Sequence, residues 1–277
     1  MAERWTLTCA ALFLAAIGLS PITAMLAQTF YVDGHLSLEP YQRLVGSAGS
    51  FTVLMEHTLL LSALTAGFAT VIGVPLGVLL GKSNLPFRGV LTIVFTAPLL
   101  LPPFVSAVAW FQVFAGNNVV SQSLPRPIRD VVSAAYFGLP GCIWVLTITL
   151  MPLAMLLTIV YLRTVSPRLE DAGRLICGWS RILSRITLPL IAPAILFAAI
   201  LIFLLTLGEV GVPAFLRYPV YASETLTQFA AFYDFAAATV AAIPLLLVTL
   251  ALLVLQYRLH GRVLELGRNV YVILRLH

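Results

Sequence analysis

Charge is what this sequence has least of. Only 10% of its 277 residues are Asp, Glu, Lys or Arg, against roughly 25% in an ordinary soluble domain. With 60% of the residues hydrophobic and a mean hydropathy of +1.01, that scarcity excludes a water-soluble globular protein. Cysteine is scarce too. Cys9, Cys142 and Cys177 stand far apart, with no CxxC pair and no histidine at ligand spacing, so neither a zinc site nor a redox pair is supported. The four histidines, His35, His57, His260 and His277, fall outside the apolar runs, which leaves an intramembrane hydrolase without a base. "GSAGS" at 46–50 is not GxSxG. "GKS" at 81–83 follows Leu76 where a phosphate-binding loop needs glycine. The sequence therefore predicts no catalytic residue, no metal and no cofactor of its own.

What the chain has instead is long apolar runs. A hydrocarbon core about 30 Å thick needs about 20 helical residues at about 1.5 Å each. Six stretches qualify, near 5–31, 58–81, 89–115, 141–162, 190–208 and 235–256, which predicts an all-α membrane protein with six transmembrane helices. The run after Arg4 exceeds a typical signal-peptide core and reads as a first span. With both termini on one side, twelve of the sixteen Lys and Arg residues share that side, and only Arg43, Arg126, Arg129 and Arg217 lie on the other. The positive-inside rule then places both termini in the cytoplasm. The net charge of +5 reports this orientation rather than a nucleic-acid partner.

Glycine and proline punctuate the spans. Gly73, Gly77 and Gly81 recur every four residues on one face of the second, a seam where another backbone can approach closely. The third span carries Pro98, Pro102 and Pro103 in "TAPLLLPPFVSAVAW". Each removes a backbone donor and bends or breaks the helix, tolerable at membrane depth where protein or a water-filled cavity receives the freed carbonyls. After the fifth span, "LGEVGVPAFLRYPVY" breaks regular helix beside Glu209. A carboxylate there is costly unless it meets water or a partner. Pro102, Pro103 and Glu209 are accordingly the candidates for a translocation pathway.

The most polar run joins spans four and five, "LEDAGRLICGWSRILSRITLPL" at 169–190. Ser166 and Pro167 are helix-start residues. A helix from there sets Leu169, Ala172, Gly173 and Ile176 on one face and Glu170, Asp171 and Arg174 on the other. Gly178 is placed to end it and Ser180 to cap a second helix, with Ile182, Leu183 and Ile186 on one side and Arg181 and Arg185 on another. Pro189 and Pro193 mark the return to the membrane. A loop of this length and patterning reads as a docking element.

These residues resemble the EAA loop of binding-protein-dependent ABC importer permeases of type I. Aligned backward from Ile186, Thr187, Leu188 and Pro189, the family's glutamate falls on Glu170 and its two alanines on Asp171 and Ala172. The family glycine corresponds to Ile176, with Gly173 and Gly178 nearby instead. The proline-rich third span and "LGEVGVPAFL" are similar to permeases grouped with ferric iron and thiamine importers, and the likeness covers roughly residues 50–257.

The resemblance implies a type I permease fold. Residues 1–50 hold the first span and an outer loop, 51–257 the core with five spans and a coupling loop at 163–189, and 258–277 a cytoplasmic tail. It further implies a bacterial inner-membrane subunit that forms the solute pathway, with ferric iron or a related small solute as substrate. ATP is then bound by an ATPase dimer, contacted through Glu170, Asp171, Ala172, Gly173, Arg174 and Gly178. The other implied partners are a second permease, identical or homologous, an extracytoplasmic solute-binding protein and membrane lipid. The competing expectation is a secondary transporter or channel, which needs intramembrane charge and no coupling loop.

Overall fold

The computed structural model describes residues 2–32, 35–46, 48–114, 125–165 and 178–275. Glycines and prolines set where its helices pack and where they stop. The chain forms two compact units interleaved in sequence, Met1–Glu56 with Val220–Leu247, and His57–Pro219 with Val248–His277.

In the first unit, helix α1 (Ala2–Gln28) is apolar on every side, as expected of a span surrounded by lipid. It ends where the Thr29 hydroxyl donates to the Leu26 carbonyl at 2.6 Å and lies 2.7 Å from the Tyr41 hydroxyl. A two-residue antiparallel pairing follows, β1 (Tyr31–Val32) with β2 (His35–Leu36), then α2 (Glu39–Gly46). Helix α3 (Ala48–Lys82) begins in this unit, and its Phe51 ring lies 5.5 Å from that of Tyr221.

The second unit holds most of the remaining helices. After α3 come α4 (Arg88–Thr96), a 3₁₀ turn (Ala97–Leu100) and α5 (Pro103–Phe114). Next are the amphipathic α6 (Arg126–Tyr136) and the long α7 (Leu139–Leu162). Past the loop, α8 (Trp179–Ile182) runs through a π turn (Leu183–Thr187) into α9 (Leu188–Leu207), and a short α10 (Gly211–Phe215) follows. The first unit resumes with α11 (Tyr221–Ala230) and the start of α12 (Phe235–Arg275). There the Asp234 carboxylate accepts the Ala237 N–H at 2.9 Å, an N-terminal cap. Among the described residues five helices are long and apolar enough to cross a membrane. The α4–α5 pair, bent by 102°, passes the same test when taken together as one broken span.

The glycine seam of α3 lies against α7 in parallel register. A Cβ on Gly73 would stand 2.6 Å from the Met151 carbonyl, and one on Gly77 would stand 2.6 Å from that of Met155. At Gly81 it would meet Leu162 at 3.1 Å. Without side chains there, the backbones close to contact, the form of packing that works in lipid, where apolar surface alone drives nothing together. Helix α9 completes the core in antiparallel register: Ala198 and Ile202 join Ala66, Ala69, Leu150, Met151 and Ala154, while Ile191 joins Leu162 and Val165.

Candidate functional site

The third span breaks where its prolines require. Pro98 sits in the 3₁₀ turn, and Leu101, ahead of Pro102, takes the extended conformation (φ −90°, ψ 137°) that a following proline ring imposes. Helix then restarts, with the Pro102 carbonyl accepting the N–H of Val105 at 2.9 Å and of Ser106 at 3.2 Å.

A second break meets this one. Helix α9 stops at Gly208, and the Glu209 carboxylate turns onto the next turn of chain, its Oε1 accepting the Val212 N–H at 3.2 Å. This is the partner that a carboxylate at the end of an apolar run needs. Gly211 makes the junction possible: a Cβ there would come 3.2 Å from Glu209 Oε1 and 3.3 Å from Cβ of Phe104. Phe104, the residue after Pro103, also packs edge-on against Phe215 of α10, with centroids 5.6 Å apart. The structure thus brings the Pro102–Pro103 break and the Glu209 break together.

An aromatic wall backs the junction. Phe111 packs edge-on against Phe215 at 5.7 Å and against Phe137 at 6.0 Å, and Trp110 against Trp144 at 5.4 Å. The Tyr136 hydroxyl, at the end of α6, donates to the Ala107 carbonyl at 2.6 Å. Burial, helped by nearby Cys142, pushes that phenol up to about 12, so it stays protonated and remains a donor. The strap from α10 is pinned by the Gly138 N–H donating to the Leu216 carbonyl at 2.8 Å, with Gly138 at φ 88°. The Arg217 guanidinium rests 5.5 Å from the Phe137 ring centre. Beyond it, Tyr218 stacks on His57 at 5.0 Å. None of Tyr136, Phe111 or Phe215 stood out in the sequence, because the contacts that matter are made between distant segments.

The loop candidates Glu170, Asp171, Ala172, Gly173 and Arg174 lie outside the described residues. Gly178 is described and exposed, while the helix it was expected to end lies outside the described residues. Its carbonyl accepts the N–H groups of Arg181 at 3.0 Å and Ile182 at 3.2 Å, so it opens α8. Ser180, expected as the cap, lies inside that helix. Glycine serves the N-cap position nearly as well as a hydroxyl residue, which lets the helix start two residues early. The faces follow the sequence pattern: Ile182 is fully buried, while Arg181 and Arg185 are exposed. The π turn ends with the Leu188 N–H donating to the Leu183 carbonyl, directly before Pro189, which has no N–H to continue the regular ladder. Among the described residues no group of three or more His, Cys, Asp or Glu side chains is placed to hold a metal.

Apolar helices of spanning length, one of them broken by prolines, define a polytopic membrane protein. Residues 73–265 match the family described as binding-protein-dependent transport system inner membrane component, and the chain belongs to that family. Solved structures agree on the fold. A chain of a bacterial alginate ABC transporter, in complex with an alginate pentasaccharide-bound periplasmic protein, matches with a TM-score of 0.69 at 16% identity, over 94% of this chain and 96% of that one. A chain of the inward-facing MetNI methionine ABC transporter matches with a TM-score of 0.61 at 17% identity, over 77% and 95%. No curated protein sequence gives a match.

Proposed function

We propose that this chain forms the solute pathway of an ATP-driven importer and takes its energy from an ATPase dimer bound to the loop between α7 and α9. The observation that supports this most directly, beside the family, is continuity. From Trp179 to Leu207 the chain is helical without a break, through α8, the π turn and α9. A displacement applied at the loop is therefore carried into a membrane span instead of being absorbed by slack chain. Glu170, Asp171, Ala172, Gly173, Arg174 and Gly178 are the residues assigned to the ATPase contact.

Both termini face the cytoplasm in this reading, as the basic residues direct. A second permease, identical or homologous, completes the pathway, and an extracytoplasmic binding protein delivers the solute. Pro102, Pro103 and Glu209 line the pathway at the junction of the two breaks. The solute assignment rests on sequence resemblance alone, which points to ferric iron or a related small solute, with selection made by the binding protein. Isolating the complex with its receptor and identifying the bound solute tests that assignment independently of the coupling.

The coupling test is Glu170→Lys in the reconstituted complex. Insertion of the permease is expected to be normal and ATP hydrolysis to persist while uptake falls to background. Uptake at the wild-type rate would overturn the assignment of this loop.

A further inference from the structure

Helix α6 has three sides where an ordinary surface helix has two. Arg129, Val132, Ser133 and Tyr136 recur at helical spacing on the side that meets the protein, with Tyr136 buried and the other three half-buried. Ile128, Val131 and Ala135 form a second stripe, apolar and bare, with Ile128 50% and Val131 68% exposed. Arg126 and Asp130, one turn apart, form a third that is polar and exposed. The helix is also held at a defined height. The Tyr136 ring lies 6.5 Å from that of Phe111 and 5.6 Å from that of Phe114, which sets the end of α6 beside the last turn of α5. The chain then turns into α7 at Gly138, so tightly that a side chain on Gly141 would collide with the Tyr136 carbonyl. Trp110 and Trp144 pack against the same Phe114 ring, at 5.3 Å and 5.8 Å, and Trp144 is 46% exposed. Tryptophan collects where headgroups meet the hydrocarbon core, so these rings mark the depth.

We infer that α6 is an interfacial helix whose partner is the bilayer itself. Ile128, Val131 and Ala135 rest on phospholipid acyl chains in the leaflet at the Phe114 end of α5, and Arg126 and Asp130 stay among headgroups and water. In the orientation proposed above this is the outer leaflet. At 11 residues, about 16 Å long, the helix is too short to cross a membrane. A boundary between hydrocarbon and water is the environment that changes from apolar to polar across the width of one helix at this depth, and the bare stripe and the charged stripe divide α6 along that boundary. The claim needs no particular headgroup, since the apolar stripe supplies the contact and the polar one needs only to stay wet. Seated in this way, α6 fixes the height of the Phe114 end of α5, the helix that carries Phe104 to the junction of the two breaks.

The test puts a nitroxide spin label on the full chain in phosphatidylcholine bilayers, at Val131→Cys on the apolar stripe or at Asp130→Cys on the polar one. Cys9→Ala and Cys177→Ala clear the background, while Cys142 is fully buried and stays. Both label positions are exposed, so neither substitution disturbs packing. Power saturation then compares collisions with oxygen, which concentrates in hydrocarbon, and with a water-soluble nickel chelate. The oxygen-to-nickel ratio is expected to be several-fold higher for Val131→Cys than for Asp130→Cys, and Ala135→Cys should agree with Val131→Cys. Similar ratios at the two neighbouring positions would overturn the proposal: α6 stands in water if both meet nickel, and is wholly immersed if both meet oxygen. A water-like ratio for Ala135→Cys would break the stripe and overturn it as well. So would a Val131→Cys label shielded from both reagents, because the stripe is then covered by protein, a second copy of this chain included. Neither an ATPase nor a binding protein is present in the assay, so the outcome is independent of whether the importer reading survives.

Discussion

Helices α1 and α7 are both apolar enough to span a membrane, yet the chain treats them in opposite ways. Within the most apolar window of α1 no residue is buried inside the chain, whereas 56% of the corresponding window of α7 is. What distinguishes α7 is a close backbone contact with α3. Helix α1 turns Leu7, Leu12, Phe13, Leu14 and Ile17 outward. Helix α7 offers Gly141, Ala154 and three threonines, and it meets Gly73 and Gly77 of α3. Lipid tails solvate leucine as well as another helix does, so hydropathy selects spans but close backbone approach selects the ones that pack.

The largest expected effect comes from filling that approach. Gly77→Leu forces a side chain where even a Cβ would lie 2.6 Å from the Met155 carbonyl, and should cost about 3 kcal/mol, the upper end for overpacking. Gly67→Leu, on the same helix, and Gly18→Leu, in α1, meet nothing within 4 Å, and each should change stability by less than about 0.5 kcal/mol. Thermal unfolding of the three variants in one detergent reads the contrast. An equal loss from Gly18→Leu would mean that α1 is packed after all.

A smaller effect is expected at the aromatic wall. Tyr136→Phe keeps the ring but removes the donor to the Ala107 carbonyl, and Ala107 is fully buried. Losing this added bond to a buried carbonyl within α5 should cost about 1 kcal/mol, while Trp5→Phe on α1, where the ring is exposed, should cost almost nothing. Unfolding temperatures of the two variants test this. A Tyr136→Phe protein as stable as wild type would mean that water or another donor reaches Ala107.

The same contrast explains how much was legible in advance. The six spans could be read because a membrane demands an apolar stretch from each helix separately. The Pro102–Pro103 break could be read because proline acts on its own backbone. The glycine register announced a seam but not its partner, since nothing in Gly73, Gly77 and Gly81 specifies Met151 and Met155 across from them. The meeting of the two breaks through Phe104 and Gly211, and the Tyr136 bond to Ala107, join segments that only the fold brings together. The start of α8 was misread because glycine can open a helix as well as close one, and the local sequence "CGWS" contains both options.

The smallest effect separates two threonines within the packed bundle. Thr158 of α7 donates to the Ala154 carbonyl one turn back at 2.7 Å, the usual way a helix satisfies a buried hydroxyl. Thr206 of α9 is equally buried, and its hydroxyl meets no partner among the described residues. An unpaired buried hydroxyl is a cost, and replacing it by an apolar isostere removes that cost. Thr206→Val is therefore expected to leave stability unchanged or raise it by about 1 kcal/mol, whereas Thr158→Val should be neutral or slightly destabilising. Should Thr206→Val instead lower the unfolding temperature, the hydroxyl must be engaged in the working protein by a water, a solute or a neighbouring chain, and the packed bundle would contain a polar contact of its own beside the broken span.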